Sequence, residues 1–292
     1  MAGIAVDQTA CIRCGACIDV CQIASVYEMR DDAIQAVRPD ACWRCGQCVA
    51  VCPTDAIDHD DFPLDESPML DPKAAPTVEQ LTLLLRSRRS NRTYSEQTVD
   101  RNTVRELIDT ARWVPSAMNN QALDWVALDD KTRIAKLAKL TIDKLRRLAR
   151  WVEHPLVRPF LPLLVGRDKA RAARGSKERA EALYERWAQG QDPVFYNAPV
   201  VLIGHTQKAN LFGRDDAVYG TYNIMLAAGT HGLATCQIGL LQILLTRSAR
   251  LRRKAGVPED RTPQVVLILG YPRNLFRRLP ERRRPLLEWN PR

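Results

Sequence analysis

Eight of the nine cysteines of this 292-residue chain fall into two runs with identical spacing, C-x2-C-x2-C-x3-C. The first run is Cys11, Cys14, Cys17 and Cys21, and the second is Cys42, Cys45, Cys48 and Cys52. Three thiolates at this spacing can bind one iron–sulfur cubane, while the fourth points toward a neighbouring cluster. The spacing therefore predicts two 4Fe–4S clusters.

Two other uses of cysteine fit the pattern poorly. Disulfides need an oxidising compartment, and nothing in the sequence indicates export. Zinc sites favour two C-x2-4-C pairs or cysteine–histidine mixtures, rather than three close cysteines followed by a fourth.

The runs resemble those of bacterial two-cluster ferredoxins, and the resemblance covers residues 1–60. It implies that Cys11, Cys14, Cys17 and Cys52 bind one cluster and that Cys42, Cys45, Cys48 and Cys21 bind the other. The chain departs from the ferredoxin pattern in one place, because Gln22 stands where the second run has Pro53.

The length predicts two domains at about 100–200 residues each. We expect a ferredoxin-like domain at 1–60, a linker rich in proline and aspartate at 61–76, and a larger domain at 77–292. No apolar run approaches the roughly 18 residues that span a bilayer. The first cysteine follows the N-terminus too closely for a signal peptide, and cluster ligands need a reducing interior, so we expect a cytoplasmic protein.

Charge is divided unevenly along the chain. Residues 1–76 carry 5 Lys/Arg against 13 Asp/Glu, whereas residues 77–292 carry 38 against 21. Opposite net charges suggest that the two parts dock electrostatically, although both surfaces could simply be solvated. No helix-turn-helix, zinc finger or interleaved aromatic pattern supports nucleic-acid binding by the basic part.

Periodicity predicts several elements of the larger domain. Helices are expected from Thr77 to about residue 85, around residues 104–111, over 132–152, over 176–187 and over 218–228. Strands are expected at 126–128, 198–204 and 264–270. Residues 131–190 carry 16 Lys/Arg against 6 Asp/Glu. We interpret this region as a helical cap over an active site, or as a surface for anionic lipid or an acidic partner.

Four segments of the larger domain share polar or glycine-rich composition. They are Arg88-Arg89-Ser90-Asn91-Arg92, Pro115-Ser116-Ala117-Met118-Asn119-Asn120-Gln121, the stretch 229–239, and Arg282-Arg283-Arg284-Pro285. In this order they resemble the FMN-binding nitroreductase family across residues 77–292. The resemblance implies an α+β fold, a sandwich with a helical cap, and an intertwined homodimer with the flavin at the subunit interface. Residues 116–120 would then reach the partner's site.

The resemblance also implies roles for individual residues. Arg88, Ser90 and Arg283 correspond to phosphate-binding positions, where guanidinium and hydroxyl groups suit a dianion. Arg92 corresponds to a position at the pyrimidine edge of the flavin. Asn119 and Gln121 would contact the ribityl chain and the ring edge, and the backbone at 237–239 would face the middle of the ring. The full expected set is Arg88, Arg89, Ser90, Arg92, Pro115, Ser116, Asn119, Gln121, Gln237, Ile238, Gly239, Arg283 and Arg284.

Together the two patterns predict an oxidoreductase. A flavin can accept electrons singly and release them in pairs, so it can connect iron–sulfur clusters to an organic substrate. We expect a low-potential donor such as a ferredoxin, and as substrate a planar electrophile: a nitroaromatic, quinone or conjugated carbonyl. Tyr94 is a candidate proton donor. Cys236, His205 and His231 are interpreted as structural.

Two alternative functions fit the same sequence. In the first, FMN accepts hydride and the clusters drain the electrons, as in a dehydrogenase or oxidase. In the second, the chain is a non-enzymatic electron-transfer subunit or redox sensor.

Overall fold

The structure is a computed structural model that describes residues 3–290. It divides into two compact units. The first contains the chain up to Thr77 together with Ser116–Gln121, and the second contains Val78–Pro115 and the chain from Ala122 onward. Each unit is described separately below.

The first unit is built from two small antiparallel strand pairs and two short helices. Strand β1 (Ile4–Val6) pairs antiparallel with β4 (Ile57–His59), and β2 (Tyr27–Arg30) pairs antiparallel with β3 (Ala33–Ala36). Helix α1 spans Ala16–Val20 and α2 spans Gln47–Val51. Each follows a glycine with positive φ, at 78° for Gly15 and 72° for Gly46, a conformation that glycine adopts without strain.

The core of this unit surrounds the two cysteine runs. Two ligand candidates, Cys17 and Cys48, are buried inside it. The other buried residues of this core come from helix α2, from three of the strands and from the segment before β2: Val26, Tyr27, Ile34, Val49 and Ile57. The cysteines are therefore part of the packing that holds the unit together.

The second unit has an antiparallel sheet of four strands in the order β5-β6-β8-β7. The strands are β5 (Asp124–Leu128), β6 (Val200–Gln207), β7 (Ala234–Gln237) and β8 (Arg261–Gly270). The helices are α3 (Val78–Ser87), α4 (Arg101–Asp109), α5 (Lys131–Val152), α6 (Leu161–Val165), α7 (Arg167–Ala172), α8 (Ser176–Ala188), α9 (Gly213–Thr230), α10 (Gly239–Arg247) and α11 (Ala249–Ala255).

Helices cover both faces of this sheet. Successive side chains of a strand point to opposite faces and so pack against different helices. Val201 and Ile203 belong to a core shared with α5, α10 and α11. Val200 and Leu202 belong to a second core shared with α4 and α9. The α+β sandwich predicted from the sequence is confirmed.

The observed elements extend or add to those expected. Residues 229–239, expected as glycine-punctuated backbone, contain the strand β7. Residues 155–166, between the helices expected over 132–152 and 176–187, contain the short helix α6. Apart from an isolated bridge at Pro272, residues 271–290 contain no helix or strand. Among residues 3–290, no helix combines the length and apolarity that crossing a bilayer would require.

Candidate functional site

The expected cluster ligands all lie in the first unit. Burial, and then the nearby thiols of Cys11 and Cys52, raise the pKa of Cys17 to about 11. Burial also raises the pKa of Cys48, whose cysteine neighbours are Cys42 and Cys45. Cys17 of the first run therefore interacts electrostatically with Cys52 of the second run. Within residues 3–290, no three or more His, Cys, Asp or Glu side chains are arranged to hold a single ion.

Protein donors reach several of the cysteine sulfurs. The backbone N–H of Val26 donates to Cys21 Sγ at 3.4 Å, and that of Arg44 donates to Cys42 Sγ at 3.3 Å. The N–H of Ala56 donates to Cys52 Sγ at 3.2 Å. Burial acts to raise the pKa of Cys52, but the N–H groups of residues 54 and 56 lower it overall. Such N–H···S contacts stabilise thiolates and tune the reduction potential of a cluster.

Two buried polar side chains lie beside cysteines of the second run. His59 is 2% exposed, and its Nε2 lies 3.6 Å from Cys42 Sγ. Its Nδ1 accepts the N–H of Asp61 at 3.1 Å, so the neutral ring carries its proton on Nε2, toward the sulfur. Tyr27 is also 2% exposed, and its hydroxyl oxygen is buried without a formed hydrogen bond.

The environment of the Tyr27 hydroxyl indicates whether the first unit can hold iron–sulfur clusters. Burial, and then the Cys48 thiol, raise the pKa of Tyr27 far above its usual range, with Cys17 and Cys21 contributing. A buried donor without an acceptor is rare in folded proteins. A cluster-bound thiolate at Cys48 would supply that acceptor, so the donor set fits the group.

In the second unit, the arginine run lies beside β7. Ser90 forms a parallel bridge with Thr235, and Asn91 N–H donates to the Thr235 carbonyl at 2.9 Å. This pairing places the run next to Cys236, which is 2% exposed. Burial raises the pKa of Cys236, while Arg92, Ser90 and Arg88 oppose that shift. The thiol is thus buried beneath two guanidinium groups.

Arg88 has a buried nitrogen that the protein leaves unpaired. Its Nε has no hydrogen-bond partner, and its guanidinium carbon lies 6.0 Å from the centre of the Tyr222 ring. Arg89, in contrast, donates to the carbonyls of Arg88 and Pro280. A buried guanidinium N–H without an acceptor fits a bound anion such as a phosphate.

A cavity of about 210 Å³ lies at this place in the second unit. Arg88 and Arg89 line it together with Thr235 and Gly232. Gly232 has a positive φ of 68°, and a Cβ at Gly229 would meet no atom within 4 Å. The cavity wall therefore combines two guanidinium groups and small residues with apolar side chains, which are Leu84, Met225, Leu226, Leu233, Pro272, Leu275 and Phe276.

The other residues of the second unit that were expected to bind FMN differ in exposure and position. Gln237 is exposed at the end of β7, Ile238 is buried at 7% exposure, and Gly239 begins α10. Pro115 is exposed. Arg283 and Arg284 are exposed in the segment after Pro280, and the structure does not bring them into the cavity.

The loop Ser116–Gln121 groups with the first unit. Met118, Asn119 and Gln121 all have positive φ, which is uncommon outside glycine. The Gln121 N–H donates to Ser116 Oγ at 3.1 Å, and Asn119 Nδ2 donates to the carbonyl of Arg44. Arg44 lies between two expected cluster ligands, so this loop contacts the second cysteine run.

Tyr94 is placed as a packing residue. It is 3% exposed, and its hydroxyl donates to the Asn91 carbonyl at 2.9 Å. Burial raises its pKa well above the usual range. Its proton is thus committed to the backbone of the arginine run, and we assign Tyr94 a role in holding that run.

Sequence reasoning missed Tyr27, His59 and Tyr222. A tyrosine after a cysteine run, a histidine in an acidic stretch and a tyrosine within a helix carry no pattern that marks them. The pairing of Tyr27 with Ala36 and of Ile4 with His59 places the first two beside cysteines.

Comparison with known proteins agrees with this organisation. Residues 85–271 match the model of the nitroreductase family, which covers more than half of the chain. The chain belongs to the nitroreductase family. Residues 3–53 match the model of a 4Fe-4S dicluster domain. Both families predicted from the sequence are therefore confirmed.

Individual relatives of this nitroreductase-family chain are distant. Chloronitrobenzene nitroreductase of Comamonas testosteroni is 26% identical over 211 residues, which are 68% of this chain and 89% of that protein. Two similar structures are nitroreductases solved with bound FMN. That from Bacteroides fragilis is 17% identical with a TM-score of 0.51, covering 72% of this chain and 99% of that one. That from Desulfitobacterium hafniense is 16% identical with a TM-score of 0.52, covering 73% and 100%.

Proposed function

We propose that this chain passes single electrons from two 4Fe–4S clusters to FMN, and that it reduces a planar electrophilic substrate. The coarser statement, an FMN-dependent oxidoreductase with an iron–sulfur domain, follows from the family and the dicluster match. The predicted cofactors, FMN and two 4Fe–4S clusters, are confirmed at that level. When bound, the flavin supplies two-electron chemistry and the clusters supply one-electron transfer.

The chain's own residues have separate tasks in this proposal. Cys11, Cys14, Cys17 and Cys52 hold one cluster, and Cys42, Cys45, Cys48 and Cys21 hold the other. Arg88 and Ser90 bind the flavin phosphate, supported by the unpaired Arg88 Nε. Arg92 places positive charge near the flavin ring. Tyr94 orders the backbone that presents these groups, through its bond to Asn91.

One hydrogen bond carries the proposal of internal electron transfer. Asn119 is a proposed flavin contact, and its side chain donates to Arg44, between the proposed ligands Cys42 and Cys45. This proposed flavin contact therefore belongs to the same unit as that cluster. Fusing the two on one chain also raises their effective concentration. We therefore assign the cluster of Cys42, Cys45, Cys48 and Cys21 as the one that delivers electrons to the flavin.

Two observations support the substrate class and the assembly. The Comamonas relative is named for a chloronitrobenzene, which favours nitroaromatics among the three classes. Helix α3 contains no buried residue, and its leucines Leu81, Leu83 and Leu85 are exposed. Exposed apolar helices of this size favour a homodimer, in line with the family resemblance. We also propose that the protein works in a reducing cytoplasm and that it receives electrons from a low-potential donor.

Anaerobic reduction tests this function. The holoprotein is reduced by dithionite or reduced ferredoxin without NAD(P)H, then mixed with 1-chloro-4-nitrobenzene, a benzoquinone or an α,β-unsaturated aldehyde. We expect flavin reduction to depend on intact clusters and one of the acceptors to reoxidise the flavin. Flavin reduction at an equal rate in Cys45→Ala protein that retains FMN but lacks a cluster would contradict the internal route. Clusters with potentials well above that of the flavin would reverse the direction.

A further inference from the structure

The segment from residue 148 to residue 174 exposes an unusual amount of apolar surface. Leu163 is 84% exposed, Leu156 76%, Leu164 64%, Phe160 59% and Trp151 54%. Leu148 and Val165 are also exposed. Contiguous exposed apolar residues in a folded protein mark an interaction surface. Ala149 and Leu161, at 6% and 5% exposure, are the buried residues of this segment.

The backbone of this segment is internally hydrogen-bonded. The N–H groups of Val157 and Arg158 donate to the His154 carbonyl, and that of Phe160 donates to Val157. The N–H of Gly166 donates to Pro162. A segment that enters an apolar environment must satisfy its backbone polar groups in this way, because unpaired groups there are costly.

Cations follow the apolar residues directly. Helix α6 carries Leu163, Leu164 and Val165, and after the turn at Gly166 helix α7 begins with Arg167. Between residues 148 and 174 there are 6 Lys/Arg and 2 Asp/Glu. The four cations at the end of the segment make no ion pair with any described residue: Arg167, Lys169, Arg171 and Arg174.

The neighbouring arginines behave differently. Arg146 and Arg150 both bind Glu181 of α8, at 2.5 and 2.9 Å. These pairs join α5 to α8 and hold the base of the segment. The cations of the segment without an ion pair to any described residue, Arg158 as well as the four after Gly166, therefore flank α6 on both sides in the sequence.

We infer that residues 148–174 form a peripheral docking site for the surface of an anionic lipid bilayer. Leu163, Leu164, Phe160 and Trp151 enter the headgroup–acyl boundary, and the four unpaired cations contact lipid phosphates. Apolar side chains with tryptophan beside a basic stretch are what binding in the interface requires. Charge complementarity selects anionic lipid over neutral lipid. The inference does not depend on the proposed reaction.

Vesicle sedimentation tests the inference with the anaerobic holoprotein. We expect binding to phosphatidylcholine vesicles containing roughly one quarter phosphatidylglycerol, and about tenfold less to phosphatidylcholine alone. Binding should fall steeply in ~0.5 M NaCl because the cations are exposed and screened. Absence of binding to the anionic vesicles at low salt would overturn the inference.

Matched double variants separate the two parts of the surface. Leu163→Glu with Leu164→Glu should reduce binding about tenfold or more. The control, Met69→Glu with Leu70→Glu, changes residues that are 87% and 85% exposed and should leave binding unchanged. Arg171→Gln with Arg174→Gln should weaken binding and its salt dependence, whereas Arg250→Gln with Lys254→Gln on α11 should not.

Other outcomes identify other partners and overturn the lipid assignment. If the arginine pair matters and the leucine pair does not, the segment binds an acidic protein surface. If the leucine variant fails to bind vesicles only because it dissociates a larger species in size-exclusion chromatography, the segment is an interface between copies. Circular dichroism of each variant excludes unfolding, which is not expected at residues this exposed.

Discussion

The hydroxyl of Tyr27 lies beside the sulfur of Cys48, with both residues buried in the core of the first unit. On the same side, His59 Nε2 lies 3.6 Å from Cys42 Sγ. Two side-chain donors thus face the ligands of one proposed cluster. Among the described residues, the ligands of the other proposed cluster have one such side-chain contact, Thr54 Oγ1 at 3.8 Å from Cys52 Sγ. This asymmetry predicts that the cluster of Cys42 and Cys48 has the higher potential.

Replacing Tyr27 with phenylalanine should lower the midpoint potential of that cluster. A donor stabilises the reduced cluster more than the oxidised one, because reduction adds negative charge. Loss of about 1 kcal/mol corresponds to roughly 40 mV for one electron. An EPR-monitored redox titration measures the shift. Tyr219→Phe, at an exposed position in the other unit, is the control, and iron content should not change in either variant.

Replacing Cys52 with alanine should remove the cluster of the first run. Cys52 is proposed to bind the cluster of the first run, in line with its electrostatic interaction with Cys17. Its loss should therefore reduce iron from about eight to about four per chain. The remaining cluster should still shift in potential when Tyr27→Phe is added. If Tyr27→Phe leaves the potential of the remaining cluster unchanged, then Cys52 binds the cluster of its own run. Cys236→Ala should retain all the iron.

The sequence predicted those features that repeat locally. The cysteine spacing specified two clusters, and apolar periodicity located α5 and α8 to within about a residue. Continuous apolar runs likewise located β6 and β8, since strands covered on both faces carry no polar alternation.

Features that depend on distant pairing were not predictable. Strand β7 has four residues and is a strand because it pairs with β8, from Ala234 with Gly270 to Gln237 with Leu267. The contact between Asn119 and Arg44 joins residues 75 positions apart. The exposure of α6 also depends on tertiary structure, because its apolar residues alone would have suggested a core helix.

Replacing Arg88 with glutamine should weaken FMN binding. The buried, unpaired Nε is proposed to meet the phosphate, and a hydrogen bond to a charged group contributes about 1.5–3 kcal/mol, or roughly 10–150-fold in affinity. Arg88→Lys should also bind FMN weakly, since lysine lacks the planar fork. FMN fluorescence titration of apoprotein measures the change.

Arg105 offers a matched control for Arg88. It is an exposed arginine of α4 that bonds Asn102 at 2.7 Å. Arg105→Gln should leave FMN affinity unchanged. If Arg88→Gln binds FMN as tightly as wild type while its circular dichroism is normal, the phosphate does not occupy this place.

The pH dependence of stability in the second unit should include a contribution from His205. This residue is 5% exposed on β6 with Nδ1 unpaired, and burial lowers its pKa below the usual value. Asp124 and Asp260 oppose that shift, and Arg261 adds to it. At a pH between the folded and the unfolded pKa, His205 therefore binds a proton in the unfolded chain and not in the folded one. The stabilising contribution is complete above about pH 6.5 and is lost as the pH falls toward the folded pKa.

Comparison with His205→Gln isolates this contribution from that of the carboxylates. Wild type should lose free energy of unfolding relative to the variant as the pH falls from about 7.5 to about 5. Anaerobic urea unfolding followed by tryptophan fluorescence measures the difference. His231→Gln changes an exposed histidine after α9 and should follow wild type at every pH. Parallel curves for wild type and His205→Gln would mean that His205 is solvated when the sheet is folded.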